Sequence, residues 1–420
     1  MEYLFFGFLI VLFSYLLVFS ESRVFILKPS ALFFILFIVM YYIGVVLYSA
    51  GYASLVLVKS TEEQVLVNFT FASLSIIFFS FGSFLPKLFF KVNSANFKTY
   101  FKNKKYISES IDRKLTVLFI ALSISVFICL FHFYKAGIPI LSNDPNSARI
   151  SFIRGYGYFF IFNSLFNHMI CFLGYYLSKN YNVLWKWIFI FGIILSMGLS
   201  WITLFKSSVV VQFLMLFLIS KTINHKLPEI KNLLVLCLIL FSSLFVLIFL
   251  VSNSTSVALD YLVYRVFLIN TYDTVTIINS IYSGALDLYY GDAILKDIIA
   301  NKPGPALSFQ GEMYSYIYNN GVEAGINASY SQLFADFSWA GVFVYFILGF
   351  SFELFYLKCF LMKRLITTDD FVFYSFLCYG LANAVGYLTK GVFNWTLPII
   401  FFCILYKFVF YLIPSKNKAY

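Results

Sequence analysis

The sequence predicts an all-α polytopic membrane protein, and three observations predict it. Apolar runs of about 20 residues, enough to cross ~30 Å of hydrocarbon as a helix, recur from one end of the chain to the other. Only 12% of the 420 residues are charged, against about a quarter in a soluble domain, and the mean hydropathy is +0.86. Lys and Arg concentrate in alternate segments between the runs, as expected when one side of a membrane keeps the positive charge. No polar block is long enough to fold alone, so 1–420 reads as a single transmembrane domain. A β-barrel would show alternating segments of about ten residues instead.

The pattern predicts about eleven helices, at 3–20, 30–50, 65–85, 115–134, 156–177, 187–203, 207–220, 231–252, 338–357, 371–389 and 393–412. The first starts at Met1-Glu2-Tyr3 with no basic segment before it and no small-residue cleavage site before Glu21. It therefore reads as a retained helix rather than a signal peptide. As one helix, Trp187 to Ser220 would be too long for a single span at about 1.5 Å per residue. Lys206-Ser207-Ser208 is its only polar break, so a tight turn is expected there.

Parity of the positive charge sets the expected orientation. With the N-terminus outside and the C-terminus cytoplasmic, 21 of the 30 basic residues fall inside, eight of them in the loop 86–114. That loop reads as an orientation signal and a contact for anionic lipid. The formal net charge of +11 is then a matter of topology, and nucleic-acid binding is excluded. The six cysteines fall in or beside apolar runs without CxxC pairs, which suits neither a metal site nor a disulfide framework. His132 and His168 lie within helices and His225 in a cytoplasmic loop; no zinc-hydrolase, phosphate-loop or nucleophile-elbow motif is present.

The outer side holds two larger segments, 135–155 and 253–337. Nine basic residues remain there against the bias: Lys59, Lys135, Arg149, Arg154, Lys206, Arg265, Lys296, Lys302 and Lys390. Lys59 sits beside Glu62 and Glu63, and Lys135 ends a helix, where it can snorkel. Arg149, Arg154, Lys206, Arg265 and Lys390 cluster by position at one membrane level and suit an anionic ligand. An Arg fork holds phosphate oxygens bidentately and Lys adds point charge. In helical register Arg265, Tyr272, Thr276, Asn279 and Ser283 share one stripe. After Pro303-Gly-Pro305 comes a tract of Tyr, amides and acids, Gln310 to Gly321, including Glu312, Tyr314, Tyr316, Tyr318 and Asn320. Aromatic rings stack on sugar faces, so Tyr272, Tyr314 and Asn320 are the expected sugar contacts.

Taken together, the eleven runs, the Phe/Tyr/Ile/Asn-rich composition and Gly137-Ile-Pro139-Ile-Leu followed by Arg149 and Arg154 resemble a known family. So does the outer segment ending in Phe334-Ala-Asp336-Phe-Ser-Trp-Ala-Gly341, ahead of a helix with Gly349. The family is that of the bacterial oligosaccharide-repeat-unit polymerases (Wzy-type O-antigen or capsule polymerases). The resemblance implies a GT-C-like bundle in the bacterial cytoplasmic (inner) membrane. It also implies a glycosyltransferase that needs no metal, nucleotide or other cofactor. Its partners would be a growing glycan on undecaprenyl pyrophosphate, a single lipid-linked repeat unit, membrane lipid and a chain-length regulator. The five cations would stabilise the departing pyrophosphate, and Glu312, Asp336, Asp273 or a histidine would activate the acceptor hydroxyl. A lipid-linked oligosaccharide flippase and an O-antigen ligase are the competing readings.

Overall fold

The computed structural model describes residues 2–21, 25–51, 60–107, 111–142, 183–202, 207–226, 268–299, 308–318 and 329–386, with scattered positions within 148–176, 235–264 and 388–408. These residues are overwhelmingly helical. The helices are α1 (Glu2–Val18), α2 (Pro29–Ser49, with a π turn at Ile38–Tyr42), α3 (Glu62–Phe89), α4 (Ser94–Asn103), α5 (Ile111–Ala136), α6 (Val183–Ile202) and α7 (Ser207–Ile223). After these come α8 (Ile269–Tyr282), α9 (Asp292–Ile299), α10 (Phe309–Tyr318), α11 (Ser329–Phe337), α12 (Gly341–Tyr356) and α13 (Thr368–Ala382). The predicted turn at Lys206-Ser207-Ser208 falls at residues 203–206, which lie outside the described residues; α7 is described from Ser207.

Among the described residues four helices are long and apolar enough to cross a membrane: Pro29–Ser49, Glu62–Phe89, Leu118–Ala136 and Tyr330–Leu361. Shorter apolar helices fall at Glu2–Val18, Val183–Ser196, Leu214–Ile223 and Ile399–Phe408, each on a predicted run. The predicted runs 156–177 and 231–252 lie mostly outside the described residues. The helices leave their apolar side chains outward: Phe5, Phe8 and Leu16 on α1 and Phe127 on α5 are each 60% exposed or more. Such faces are solvated by lipid and not by water, since hydrocarbon demands only that the backbone be satisfied within the helix.

The chain divides into two compact units. One comprises Met1–Asn103, Leu227–Met362 and Leu381–Gly391; the other comprises Lys104–Lys226, Lys363–Gly380 and Val392–Tyr420. In the second, β1 (Lys105–Ile107) pairs in parallel with β2 (Leu365–Thr367), and Lys104 donates to the Lys363 carbonyl at 2.6 Å. Cys129, Phe166, Ile170 and Leu199 form its packed centre. The buried Asp369 accepts from the hydroxyls of Tyr176 and, at 3.0 Å, Tyr406.

The first unit is built on α3 and α12. Thr61 starts α3 with a reciprocal cap: its hydroxyl accepts from the Gln64 backbone N–H at 3.2 Å, and the Gln64 side-chain Oε1 accepts from the Thr61 N–H at 3.0 Å. Glu62 and Glu63 follow in the first turn and Lys87 lies in the last, both favoured by the helix dipole. The two helices touch through glycines. A Cβ on Gly82 would overlap the Phe346 carbonyl oxygen, and one on Gly349 would overlap that of Phe79. Small residues let helix backbones approach where no hydrophobic effect drives association. Aromatic rings fill the rest, with Phe33 stacked on Phe79 at 4.4 Å and Phe25 on Phe360 at 5.4 Å.

One end of this unit holds a buried charge cluster of residues that the sequence reading counted among the cytoplasmic charges, without foreseeing that they meet. Lys28, Lys87, Glu21 and Glu353 are at most 1% exposed. Lys28 binds Glu21 and lies 3.7 Å from Glu353, while Lys87 lies 2.7 Å from Glu21 and 4.0 Å from Glu353. Both ammonium groups also donate to the Val18 carbonyl, at 2.5 and 2.6 Å, and so cap the C-terminus of α1. Ser30 donates to Glu353 at 2.5 Å. Glu21, Lys28 and Lys87 stand just beyond predicted apolar runs and Glu353 lies within one, so spacing alone does not reveal that they meet. The helix ends converge, and two acids with two bases make the buried group neutral.

Candidate functional site

At the opposite end of the same unit, α8 to α11 form a small helical cap on the ends of α2 and α3. Ile277, Ala293, Phe309, Met313 and Ala335 are its core, one or more from each of the four helices. One residue of the predicted polar stripe, Asn279, fastens α8. Asn68 of α3 donates to the Asn279 side-chain oxygen at 2.7 Å, and Asn279 donates to the Ser60 hydroxyl at 2.9 Å. Tyr330 donates to the Asn68 carbonyl at 3.0 Å. Buried amides bond between helices here because leaving them unpaired costs more than pairing gains. Val275 packs with Tyr48, Val65 and Tyr272, which fixes the roll of α8.

That roll turns Asp273 toward α10. Its carboxylate accepts from the Tyr318 hydroxyl at 2.7 Å and is only 4% exposed. Tyr318 stacks near Tyr314 at 4.7 Å between ring centres and lies 6.2 Å from Tyr272. Tyr318 thus holds the buried carboxylate, and the half-buried rings of Tyr314 and Tyr272 lie beside Tyr318. Burial pushes Asp273 up to about 6, although the Tyr318 hydrogen bond acts the other way. Burial and the Asp273 charge push Tyr318 well above the usual phenol range, so it stays a donor. A carboxyl group poised there takes up a proton near neutral pH, the property a general base requires.

The two other predicted acids have different surroundings. Asp336 is 1% exposed. Its oxygens accept from the backbone N–H groups of Gly291 at 3.0 Å, Ala293 at 2.9 Å and Ile294 at 3.0 Å. It caps the N-terminus of α9 from a helix more than 40 residues further on, which holds the cap region together. Glu312 pairs with Lys296 at 2.6 Å on a half-exposed surface, and Tyr289 donates to it at 3.3 Å. Lys296 also lies 4.9 Å from the centre of the Tyr289 ring. Burial and Glu312 push the Tyr289 phenol up to about 12.

The structure therefore links Asp273 to Tyr314 and Tyr272 through Tyr318 and sets Glu312 and Asp336 in separate roles nearby. Arg149, Arg154, Lys206, Arg265, Lys390 and Asn320 lie outside the described residues. Tyr318 was part of the aromatic tract but was not singled out in the sequence. Its position four residues after Tyr314, on one helical face, is the signal that would have found it. Lys296 stood among the nine outer cations without a partner; Glu312 supplies one. Compared with family models, with curated proteins and with solved structures, the chain has no match in any of the three. Among the described residues no group of His, Cys, Asp and Glu has a metal-binding arrangement.

Proposed function

We propose that this chain is a membrane glycosyltransferase that polymerises undecaprenyl-pyrophosphate-linked oligosaccharide repeat units into O-antigen or capsular polysaccharide. In this reading it spans the bacterial cytoplasmic (inner) membrane about eleven times as a GT-C-like bundle. The N-terminus lies outside and the C-terminus in the cytoplasm. One observation carries the proposal: a buried carboxylate, Asp273, held by Tyr318 beside Tyr272 and Tyr314 and pushed up to about 6.

That arrangement suits a sugar hydroxyl as the reacting group. The rings offer apolar faces to the pyranose, and Asp273 takes the proton as the acceptor oxygen attacks the donor's anomeric carbon. The bond from that carbon to the pyrophosphate oxygen breaks, and undecaprenyl pyrophosphate leaves with the electron pair. Arg149, Arg154, Lys206, Arg265 and Lys390 are the groups we assign to its charge, with Asn320 a further sugar contact. The reaction requires no metal, since the leaving group already carries charge that Arg and Lys can match. Glu312 is the less suited base because Lys296 neutralises it, and Asp336 because three N–H groups occupy its oxygens.

The glycan ladder on a gel tests the reading. Deleting the gene is expected to leave a single repeat unit on the lipid core in place of the ladder. Asp273→Asn is expected to do the same while the protein remains in the membrane at normal level. Complete loss of glycan transfer would identify a ligase, and lipid-linked units held in the cytoplasm a flippase; either result overturns the proposal. So does a normal ladder from Asp273→Asn.

A further inference from the structure

Helix α4 lies at the end of the first unit that holds the charge cluster, and Phe90 to Asn93 join it to α3. The Val92 N–H donates to the Lys87 carbonyl at 2.9 Å and the Lys91 N–H to the Leu88 carbonyl at 3.1 Å. That is a Schellman turn, with Lys91 left-handed at φ 52°. The Asn93 side chain then accepts from the Asn96 N–H at 2.9 Å and starts α4. Phe97 and Phe101, one helical turn apart, are buried, and their rings lie 5.6 and 5.9 Å from Phe25. Phe25 stacks on Phe360 and lies 5.7 Å from Tyr356, whose ring is 5.6 Å from the Lys28 ammonium. A continuous run of aromatic contacts thus leads from α4 to the buried charges.

The remaining sides of α4 are exposed and basic. Lys98 and Lys102 stand one turn apart on the helix, and Lys91 stands in the turn before it. Lys358 is exposed in the π turn Leu357–Leu361 that follows α12 and contains Phe360. The sequence around them offers no counter-charge, since no acid occurs between Glu63 and Glu109 or between Glu353 and Asp369. The lysines paired with acids among the described residues are others: Lys28, Lys87, Lys296 and Lys407. The membrane level of this face follows from α3. Leu66 and Phe89 are 53% and 68% exposed on that one helix and stand about 35 Å apart along it, the hydrocarbon thickness and little more. The bilayer surface therefore falls at the turn into α4, where headgroups begin.

We propose that α4 is a lid held down by anionic phospholipid: Lys91, Lys98 and Lys102 bind headgroup phosphates, while Phe97 and Phe101 seal the cluster of Glu21, Lys28, Lys87 and Glu353 from water. Charge argues for this occupant. A lysine beside an anionic leaflet gains about fivefold in affinity, whereas a zwitterionic headgroup offers it no net charge. Position argues the same way, because α3 delivers α4 to the bilayer surface. The seal has a purpose. Water entering the cluster would compete with Glu21 and the α1 carbonyls for the two buried ammonium groups. From the sequence, the lipid contact spreads over all of 86–114; the structure narrows it to one helix and couples it to the buried charges. The lid would serve a transporter of this fold equally well.

Hydrogen exchange tests this on the full-length chain in nanodiscs of phosphatidylcholine, alone or mixed with phosphatidylglycerol. Phosphatidylglycerol is expected to slow exchange of residues 94–103 several-fold, and high salt to reverse the effect, because exposed charges are screened. The amides of Val18 to Glu21, beside the cluster, should slow with it as the lid excludes water. Lys98→Gln combined with Lys102→Gln should abolish the response and leave exchange in phosphatidylcholine unchanged, since both side chains are exposed. Equal exchange in the two lipids would sink the proposal, as would a response that survives the double variant. Protection reproduced by soluble glycerol phosphate would assign the lysines to a free anion instead of a lipid. Slower exchange in α4 with none at Val18 to Glu21 would remove the lid. Either of these last results also overturns it.

Discussion

At the scale of single residues, burial decides chemistry more than residue type does. Asp273, Asp336 and Glu312 are three acids in one small cap, yet a phenol, three backbone amides and a lysine give them three different uses. The pH dependence of chain extension should report the first. The base form of Asp273 is the active one, so the rate is expected to rise with pH through a midpoint near 6 and level off above it. Tyr318→Phe removes the hydrogen bond that acts to lower Asp273, so the midpoint should move up. A profile that does not move in that variant would separate Asp273 from the rate. The opposite end of the unit offers a stability test. Lys87→Met leaves two buried carboxylates facing Lys28 alone, a loss of about 3–5 kcal/mol for breaking a buried ion cluster. Pairing it with Glu353→Leu restores neutrality and should recover much of the loss, as followed by thermal unfolding in detergent.

At the scale of elements, the close approach of α3 and α12 is the most exacting feature. Gly82 and Gly349 each face the other helix's backbone carbonyl with no room for a Cβ. Gly82→Leu is expected to force the helices apart and to cost several kcal/mol, in the manner of a large side chain forced into a packed core (about 1–3 kcal/mol, occasionally more). Gly51→Ala, where no atom lies within 4 Å, tests φ strain alone and should be milder. Equal losses of folded protein from the two, by fluorescence-detected gel filtration, would contradict the packing account. Much of this level was legible in advance. The run at 65–85 predicted a helix because about 20 apolar residues have few other structures open to them in lipid. The capping box at Thr61 and Gln64 is also a sequence signal. What spacing did not show is that α3 runs on to Phe89 through Pro86 and delivers Lys87 to the buried cluster, because helix ends depend on what they meet.

At the scale of the whole molecule, orientation is the property that connects the parts. The segment 86–114, expected as a loop, is largely helical and holds seven bases besides the buried Lys87, and cations are retained on the cytoplasmic side. The cap of α8–α11 sits at the other end of the first unit's helices, so the expected orientation puts Asp273 outside. A cysteine introduced at Asp287 is expected to react with an impermeant thiol reagent on intact cells, and one at Lys102 only after permeabilisation. The reverse labelling would invert the topology and remove the proposed site from the outer leaflet. Within the candidate site, Tyr272 and Tyr314 were named from the stripe and the aromatic tract, and Asp273 as one of three acids that the family resemblance implied. Their meeting was not legible, because 45 residues separate Asp273 from Tyr318 and only folding closes that distance.

By itself the sequence determined the class of solvent this chain lives in and the places where most helices lie, because hydrophobic length is a local property that bilayer thickness reads directly. It also marked which acids and tyrosines stand in the polar segments. The tertiary structure alone decided which acid is buried against a phenol, which one caps a helix and which one pairs with Lys296. It likewise turned four separate charges into a sealed neutral cluster. Those outcomes depend on contacts between residues far apart in the chain, and no periodicity within one helix records what the neighbouring helix places opposite it.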